Sequence, residues 1–222
     1  MPLASLVPEP VAGHPTRSDR RTRTRRSRRA GVAALAAVLA IGLSACASDP
    51  VSESFLNGEN TGYVAADGAI VEIAESDRGE PVEFGGVTET GETFDSADIA
   101  GQVTVVNFWY AGCAPCRLEA DALEDVWQEY EGEGVSFIGI NTRDQADTAI
   151  TSSKDWGVTY PSLIDVNTAE AKLAFAEVTP IAATPTTLVL DKQGRVAARI
   201  IGPIDGTSIL STLVKDALAE SS

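Results

Sequence analysis

Residues Gln102–Trp109 (QVTVVNFW) form an uncharged, β-branched and aromatic run, and this run constrains the chain more than any other segment. It offers no consistently polar face, so as a strand it must be covered on both sides. After a short turn, Cys113-Ala114-Pro115-Cys116-Arg117 opens a segment in which Cys116, Ala120, Leu123, Trp127 and Tyr130 recur at the spacing of one buried helical stripe. The expected unit is therefore strand, turn and helix. The helix runs from about Cys113 to Glu131 and is ended by Gly132 and Gly134.

This unit sets two thiols at the start of a helix. A first helical turn presents unpaired N–H groups and a partial positive charge, which stabilises a thiolate at Cys113 and lowers its pKa below that of a free thiol. Cys116 lies one turn further in, close enough for a disulfide and turned toward the buried stripe, where it can resolve a mixed disulfide. Pro115 has a fixed φ suited to a helix start and no N–H to leave unpaired there. The other readings of the pair are a static disulfide or half of a zinc site. So short a ring gains little chain-entropy stabilisation. Zinc needs two more ligands, and no Cys or His follows Cys116. The only His is His14 and the only Met is Met1. From Cys46 onward a Ser-His-Asp triad, a His-ligated zinc, a His/Met haem and a Met-rich copper site are thus excluded. No cofactor or metal is expected.

Glu119 stands out on the same helix. Stepping about 100° per residue from Cys116 puts it between Val126 and Tyr130, inside the apolar stripe, with Asp121, Asp125 and Glu129 on the opposite face. A carboxylate aimed inward has a raised pKa and can exchange a proton with Cys116 near neutrality. The competing reading is a half-exposed Glu that favours the first helical turn through the dipole. Trp109, Trp127 and Trp156 read as core or rim packing.

Around this unit the pattern alternates. Val82–Gly86 and Glu92–Phe94 read as a hairpin, Val135–Asn141 as a second apolar strand, Gln145–Trp156 as a polar helix and Tyr160–Ile164 as a strand. A short helix over Thr168–Phe175 follows. Thr186–Leu190 and Val196–Ile201 flank the tight-turn sequence Asp191-Lys192-Gln193-Gly194, and Ser208–Ala219 closes as an amphipathic helix. The order gives an α/β fold, a mixed sheet with helices on both faces.

Residues 1–45 read as a targeting segment. Eight arginines precede Gly31–Leu43, an apolar run too short for a membrane span, which needs about 20 residues. Leu43-Ser44-Ala45-Cys46 then resembles the bacterial lipobox, in which Cys46 is lipidated and becomes the mature N-terminus. An uncleaved anchor and a start downstream of Met1 remain alternatives, and Arg28-Arg29 leaves the export route open. Residues 46–79 read as a flexible acidic tether, with Ala69–Ala74 its only stretch of strand character. The whole chain carries −15, and the basic residues of the leader make the part beyond it more acidic still. Such a body repels phosphate backbones, so no nucleic-acid partner is expected.

Four matches together resemble the TlpA/ResA-like branch of the thioredoxin superfamily over about Glu80 to Ala219. They are Val106-Asn107-Phe108-Trp109, the Cys113–Arg117 box, Glu119 three residues beyond the second Cys, and Ala183-Thr184-Pro185-Thr186-Thr187 before a strand. The resemblance implies a thioredoxin-like domain over 80–222 with an N-terminal β-hairpin and a strand-helix insertion at Thr142–Phe175. It also implies dithiol-disulfide exchange at Cys113 and Cys116. Glu119 serves as acid where thioredoxin has an Asp at the position of Asn107. Thr184-Pro185 matches the family's cis-proline, whose preceding backbone pairs with the substrate chain. Trp109, Ala114, Pro115, Thr184 and Pro185 are the implied substrate contacts. The implied partners are protein thiols and disulfides, apocytochrome c among them, and a membrane thiol carrier that supplies electrons. An oxidant of the same fold and a non-catalytic lipoprotein domain are the alternatives. Tyr110, Gly112 and the absence of His from the body depart from the family pattern.

Mass spectrometry of membrane-extracted protein should find a diacylated or triacylated N-terminal Cys46, and Cys46→Ala should release or misprocess the chain. A free Cys46 thiol in mature membrane-bound protein would refute the lipobox reading.

Overall fold

The computed structural model describes residues 69–220. The expected signal sequence, Cys46 and residues 46–68 of the expected tether lie outside them. In chain order the strands are β1 (Ile70–Glu72), β2 (Gly85–Val87), β3 (Thr93–Asp95), β4 (Val103–Trp109), β5 (Val135–Asn141), β6 (Ser162–Ile164), β7 (Thr186–Leu190) and β8 (Val196–Ile201). The helices are α1 (Ala114–Tyr130), α2 (Ala146–Trp156), α3 (Glu170–Ala174) and α4 (Ser208–Ala219). Among the described residues no helix is long and apolar enough to cross a membrane.

Every residue of β4 is buried, as its unbroken apolar run demands. It sits inside a six-stranded sheet of order β1-β8-β7-β4-β5-β6. β4 pairs in parallel with β5 and antiparallel with β7, and β8 pairs antiparallel with both β7 and β1. Alternate residues of the strands divide two cores. Val105, Phe137 and Val189 face Leu123 and Val126 of α1 and Leu210 and Val214 of α4. Val106, Phe108, Ile138 and Leu188 face the other way, onto Val82, Phe84 and Phe175. There the rings of Phe84 and Phe108 pack on Phe175 at 5.1 and 5.6 Å.

The β2–β3 hairpin closes the β6 edge. The Glu89 N–H donates to Ser162 O (2.9 Å), and the Ser162 N–H donates to Glu89 Oε2 (2.7 Å). Its strands are offset from the expected Val82–Gly86 and Glu92–Phe94. Val82 and Phe84 leave the ladder because their side chains turn into the core, where Val82 N–H is satisfied by Gly194 O at 2.9 Å.

The described domain includes residues before the expected boundary at residue 80. Residues 70–72, assigned to the tether, form an edge strand with Ile70 opposite Ile200. Arg78, also in that segment, is clamped at the far end of the sheet. It donates to Glu220 through both Nη1 and Nη2 (2.5 and 2.6 Å), to Asp191 Oδ2 (3.0 Å) and to the Ile73 carbonyl (3.0 Å). Side-chain exposure is 3% for Arg78 and 1% for Asp191, so these charges are removed from water and need one another. Burial alone would raise the Asp191 carboxyl, but the Arg195 amide and the two guanidinium groups hold it below the usual range. Arg78→Ala strands Asp191 and should lower the urea unfolding free energy of the full chain by about 3 kcal/mol. An unchanged midpoint and slope would show the clamp to be dispensable.

Candidate active site

β4 delivers the chain into α1 through Tyr110–Gly112, and Cys113 is the helix N-cap. Two bonds hold the turn. The Cys113 N–H donates to Tyr110 O (3.1 Å), and the Ala111 N–H donates to Asp144 Oδ2 (2.6 Å). Asp144 is itself held by Asn141 Nδ2 at 3.0 Å. Cys113 and Cys116 are joined as a disulfide with their Cα atoms 5.3 Å apart. The Cys116 N–H points at Cys113 Sγ (3.2 Å), so a free amide of the first helical turn is aimed at the first sulfur. Both cysteines are only 2% exposed in this oxidised form, and access does not distinguish them. What distinguishes them is position: Cys113 receives the helix-start amide, whereas Cys116 is inside the helix.

The peptide bond Thr184–Pro185 is cis, and the Thr184 carbonyl oxygen lies 3.8 Å from Cys113 Sγ. The two segments singled out in the sequence, 71 positions apart in the chain, therefore meet at the reactive sulfur. Ala114 is exposed, and Pro115 and Thr184 are partly so, while Pro185 is buried beneath them. Trp109 differs from the expectation of a substrate contact. Its ring is buried against Trp156 (centroids 5.3 Å) and its Nε1–H donates to Ser162 Oγ (3.1 Å). A Cβ at Gly139 would lie 2.2 Å from that Oγ and 2.8 Å from Nε1, so this bond requires glycine there. Trp109 supports the site from below.

Glu119 has no exposed surface. Its Oε1 accepts from Asn107 Nδ2 (2.8 Å) and its Oε2 from the Ile204 N–H (3.1 Å), and Asn107 Nδ2 also donates to Thr187 Oγ1 (3.0 Å). Burial pushes its pKa up to about 7, against the opposing pull of these two donors. A cavity of about 10 Å³, room for a single water, is lined by Cys116, by Tyr160 and by Asn107, which donates to Glu119. The Tyr160 phenol is held protonated by burial and by the facing charges of Glu119 and Glu124. Asn141, Asp144 and Thr187 escaped sequence reasoning. Asn141 and Asp144 carry a local signal, since Asn141 Oδ1 accepts from the N–H of Arg143 and Asp144 in an Asx turn.

A mixed sheet with a Cys-X-X-Cys disulfide at the head of its first long helix, facing a cis-proline loop, defines a thioredoxin-like domain. The chain belongs to the AhpC/TSA family, whose pattern matches residues 79–199. It is 24% identical over 119 residues to the thiol-disulfide oxidoreductase ResA of Bacillus subtilis, covering 54% of this chain and 64% of that protein. It is 33% identical over 112 residues to the thiol:disulfide interchange protein HelX of Rhodobacter capsulatus, covering 50% and 59%. The chain thus spans roughly three-fifths of the length of these relatives. Two solved structures align over nearly their whole length. A thioredoxin-family thiol:disulfide interchange protein from Chlorobium tepidum is 31% identical with a TM-score of 0.59, covering 66% of this chain and 100% of that one. A secreted thiol-disulfide isomerase from Corynebacterium glutamicum is 30% identical with a TM-score of 0.62, covering 72% and 99%. The TlpA/ResA-like resemblance drawn from the motifs agrees with these relatives.

Raising the Glu119 pKa means that the folded state holds its proton more tightly than the unfolded chain does. Its contribution to stability is greatest below pH 4.5 and declines as pH rises toward 7, by about 3 kcal/mol in all. Glu119→Gln should remove this slope from denaturation curves of the full chain measured across that range. It should also erase the step near pH 7 in the alkylation rate of the reduced thiols. Titration curves identical to wild type would leave Glu119 only a packing role.

Proposed function

We propose that the chain is a lipid-tethered thiol-disulfide oxidoreductase of the extracytoplasmic membrane face, reducing protein disulfides in cytochrome c maturation. The observation that carries this reading is the Cys113–Cys116 disulfide at the amide-rich start of α1, beside the Thr184–Pro185 loop. The names of the ResA and HelX relatives support the chemistry, and the leader with Cys46 supports the tether.

In the reductive direction the reduced protein begins the cycle. The Cys113 thiolate attacks one sulfur of a substrate disulfide, forming a mixed disulfide and expelling the other substrate sulfur as thiolate. Glu119, one helical turn beyond Cys116 on the same buried stripe, then accepts the Cys116 proton. The Cys116 thiolate attacks Cys113 Sγ, which restores the enzyme disulfide and releases the second substrate thiol. Two electrons have passed to the substrate, and a membrane dithiol carrier must return two to the Cys113–Cys116 pair. Run backward, the same steps introduce disulfides.

Cys116→Ser, expressed as the full chain with its leader, should accumulate reductant-sensitive covalent adducts because resolution is blocked, whereas Cys113→Ser should not. Adducts dominated by apocytochrome c and a membrane thiol carrier accord with reduction. A broad spectrum of exported proteins, with a midpoint potential near the DsbA value of about −120 mV, accords with oxidation. Absence of adducts from both variants, in cells where the wild-type pair cycles with a small dithiol, would overturn the claim of a protein substrate.

A further inference from the structure

Beside the disulfide lies a cavity of about 460 Å³ that the exchange chemistry does not use. Tyr110 and Thr184 form its wall on the side of the reactive sulfurs, the Thr184 carbonyl being the group 3.8 Å from Cys113 Sγ. Ile181 and Val166 give it an apolar side, and Arg143 and Lys172 bring two cations to it. The Arg143 guanidinium lies 4.3 Å from the centroid of the Tyr110 ring, a cation–π contact that holds the charge at the cavity and leaves its N–H edge free to donate.

The carboxylates nearest in sequence or space are engaged elsewhere. Asp144, adjacent to Arg143, accepts from the Ala111 N–H and from Asn141 Nδ2. Asp165, on the cavity wall, is buried and accepts from the amides of Ala171 (2.9 Å) and Lys172 (3.1 Å). Burial raises the Asp165 carboxyl above its usual range against the pull of these two amides, with the nearby Glu170 acting in the same sense as burial and Lys172 in the opposite one. Among the described residues the ion pairs involve only Arg78 and Arg195. Two cations without an ion-pair partner thus converge beside the reactive sulfur of a chain whose formal charge is −15. A carboxylate entering between them gains charge-assisted hydrogen bonds, and the apolar side accommodates its methylene stem.

We propose that this cavity is a subsite for an acidic side chain of the substrate protein, selecting segments that carry Asp or Glu next to the cysteine that exchanges with Cys113. The inference rests on the disulfide-exchange reading above and adds to it the charge of the preferred substrate. Arg143 and Lys172 act as specificity residues, and the same electron and proton movements follow once the mixed disulfide forms.

The test uses the reduced full chain and two peptides, each with one intramolecular disulfide, identical except for Glu or Gln next to the first cysteine. Each turnover moves two electrons from the Cys113–Cys116 dithiol to the peptide, and a small dithiol in excess regenerates the protein. The kcat/KM for the Glu peptide should exceed that for the Gln peptide about tenfold at low salt. The ratio should fall toward one at high salt, and also in the Arg143→Gln/Lys172→Gln double variant. Lys215→Gln, which removes a cation from α4 and not from the cavity, should keep the preference. Equal rates for the two peptides, or a preference that survives the double variant, would overturn the subsite and leave the exchange chemistry standing. Failure of both peptides to exchange would overturn the subsite and the reading beneath it together.

Discussion

Glu119 stands on the second turn of α1, yet it has no exposed surface because Asn107 of β4 and the Ile204 amide both donate to it. The bond to Asn107 crosses from the helix to the central strand, and Asn107 passes a second bond to Thr187 of β7. Three elements are thereby referenced to one buried carboxylate. This fixes the rotation of α1 about its axis, and with it the placement of Cys116 one turn earlier. Ionising such a group in a protein interior is costly, so the donors that orient the helix also set how readily it gives up a proton. Structural registration and chemical poise are here the same set of hydrogen bonds.

Charge is distributed unevenly around that centre. At the end of the sheet remote from the disulfide, Arg78 and Arg195 gather Asp191, Glu220 and Glu75 into a network that unites the first and last described segments. Lys192 adds bonds to the carbonyls of Leu218 and Glu220. Those cations have a structural duty and are screened by their partners. Beside the disulfide the carboxylates are held by amides, and neither Arg143 nor Lys172 is in an ion pair among the described residues. An acidic body with a local positive focus orients an approaching charged partner before contact is made.

What could be read from the sequence is what local periodicity encodes. The unbroken apolar run of β4, the stripe of α1 and the inward aim of Glu119 all follow from residues within one or two elements of each other. The observed Ala114–Tyr130 helix, capped by Cys113, lies within a residue of expectation. Where partners are distant in sequence, the reading failed. β1 lies in the one stretch of the tether with strand character, but its place in the domain comes from pairing with β8 some 130 positions later. Arg78 looked like a tether residue because Asp191 and Glu220 lie 113 and 142 positions away. Trp109 shows the two kinds of reading diverging. The residues themselves read it as core or rim packing, which its burial matches, and it was the resemblance that implied contact with a partner; the indole N–H instead finds Ser162 across a glycine-permitted gap. The cysteine box and the Thr184–Pro185 loop were brought together only by the resemblance; nothing local says that they touch.

The edge strand has a mechanical consequence. Tension applied at Ala69, the first described residue, would load β1, two strands removed from β7 and three from β4. It is met first by the ladder that joins β1 to β8 and then, a few residues on, by the four hydrogen bonds of Arg78. A pull on the chain is thus taken up as shear at the margin of the sheet and dissipated in an ionic lock at its base. The helix start that carries the disulfide lies outside that load path, so its geometry is insulated from whatever the rest of the chain is attached to.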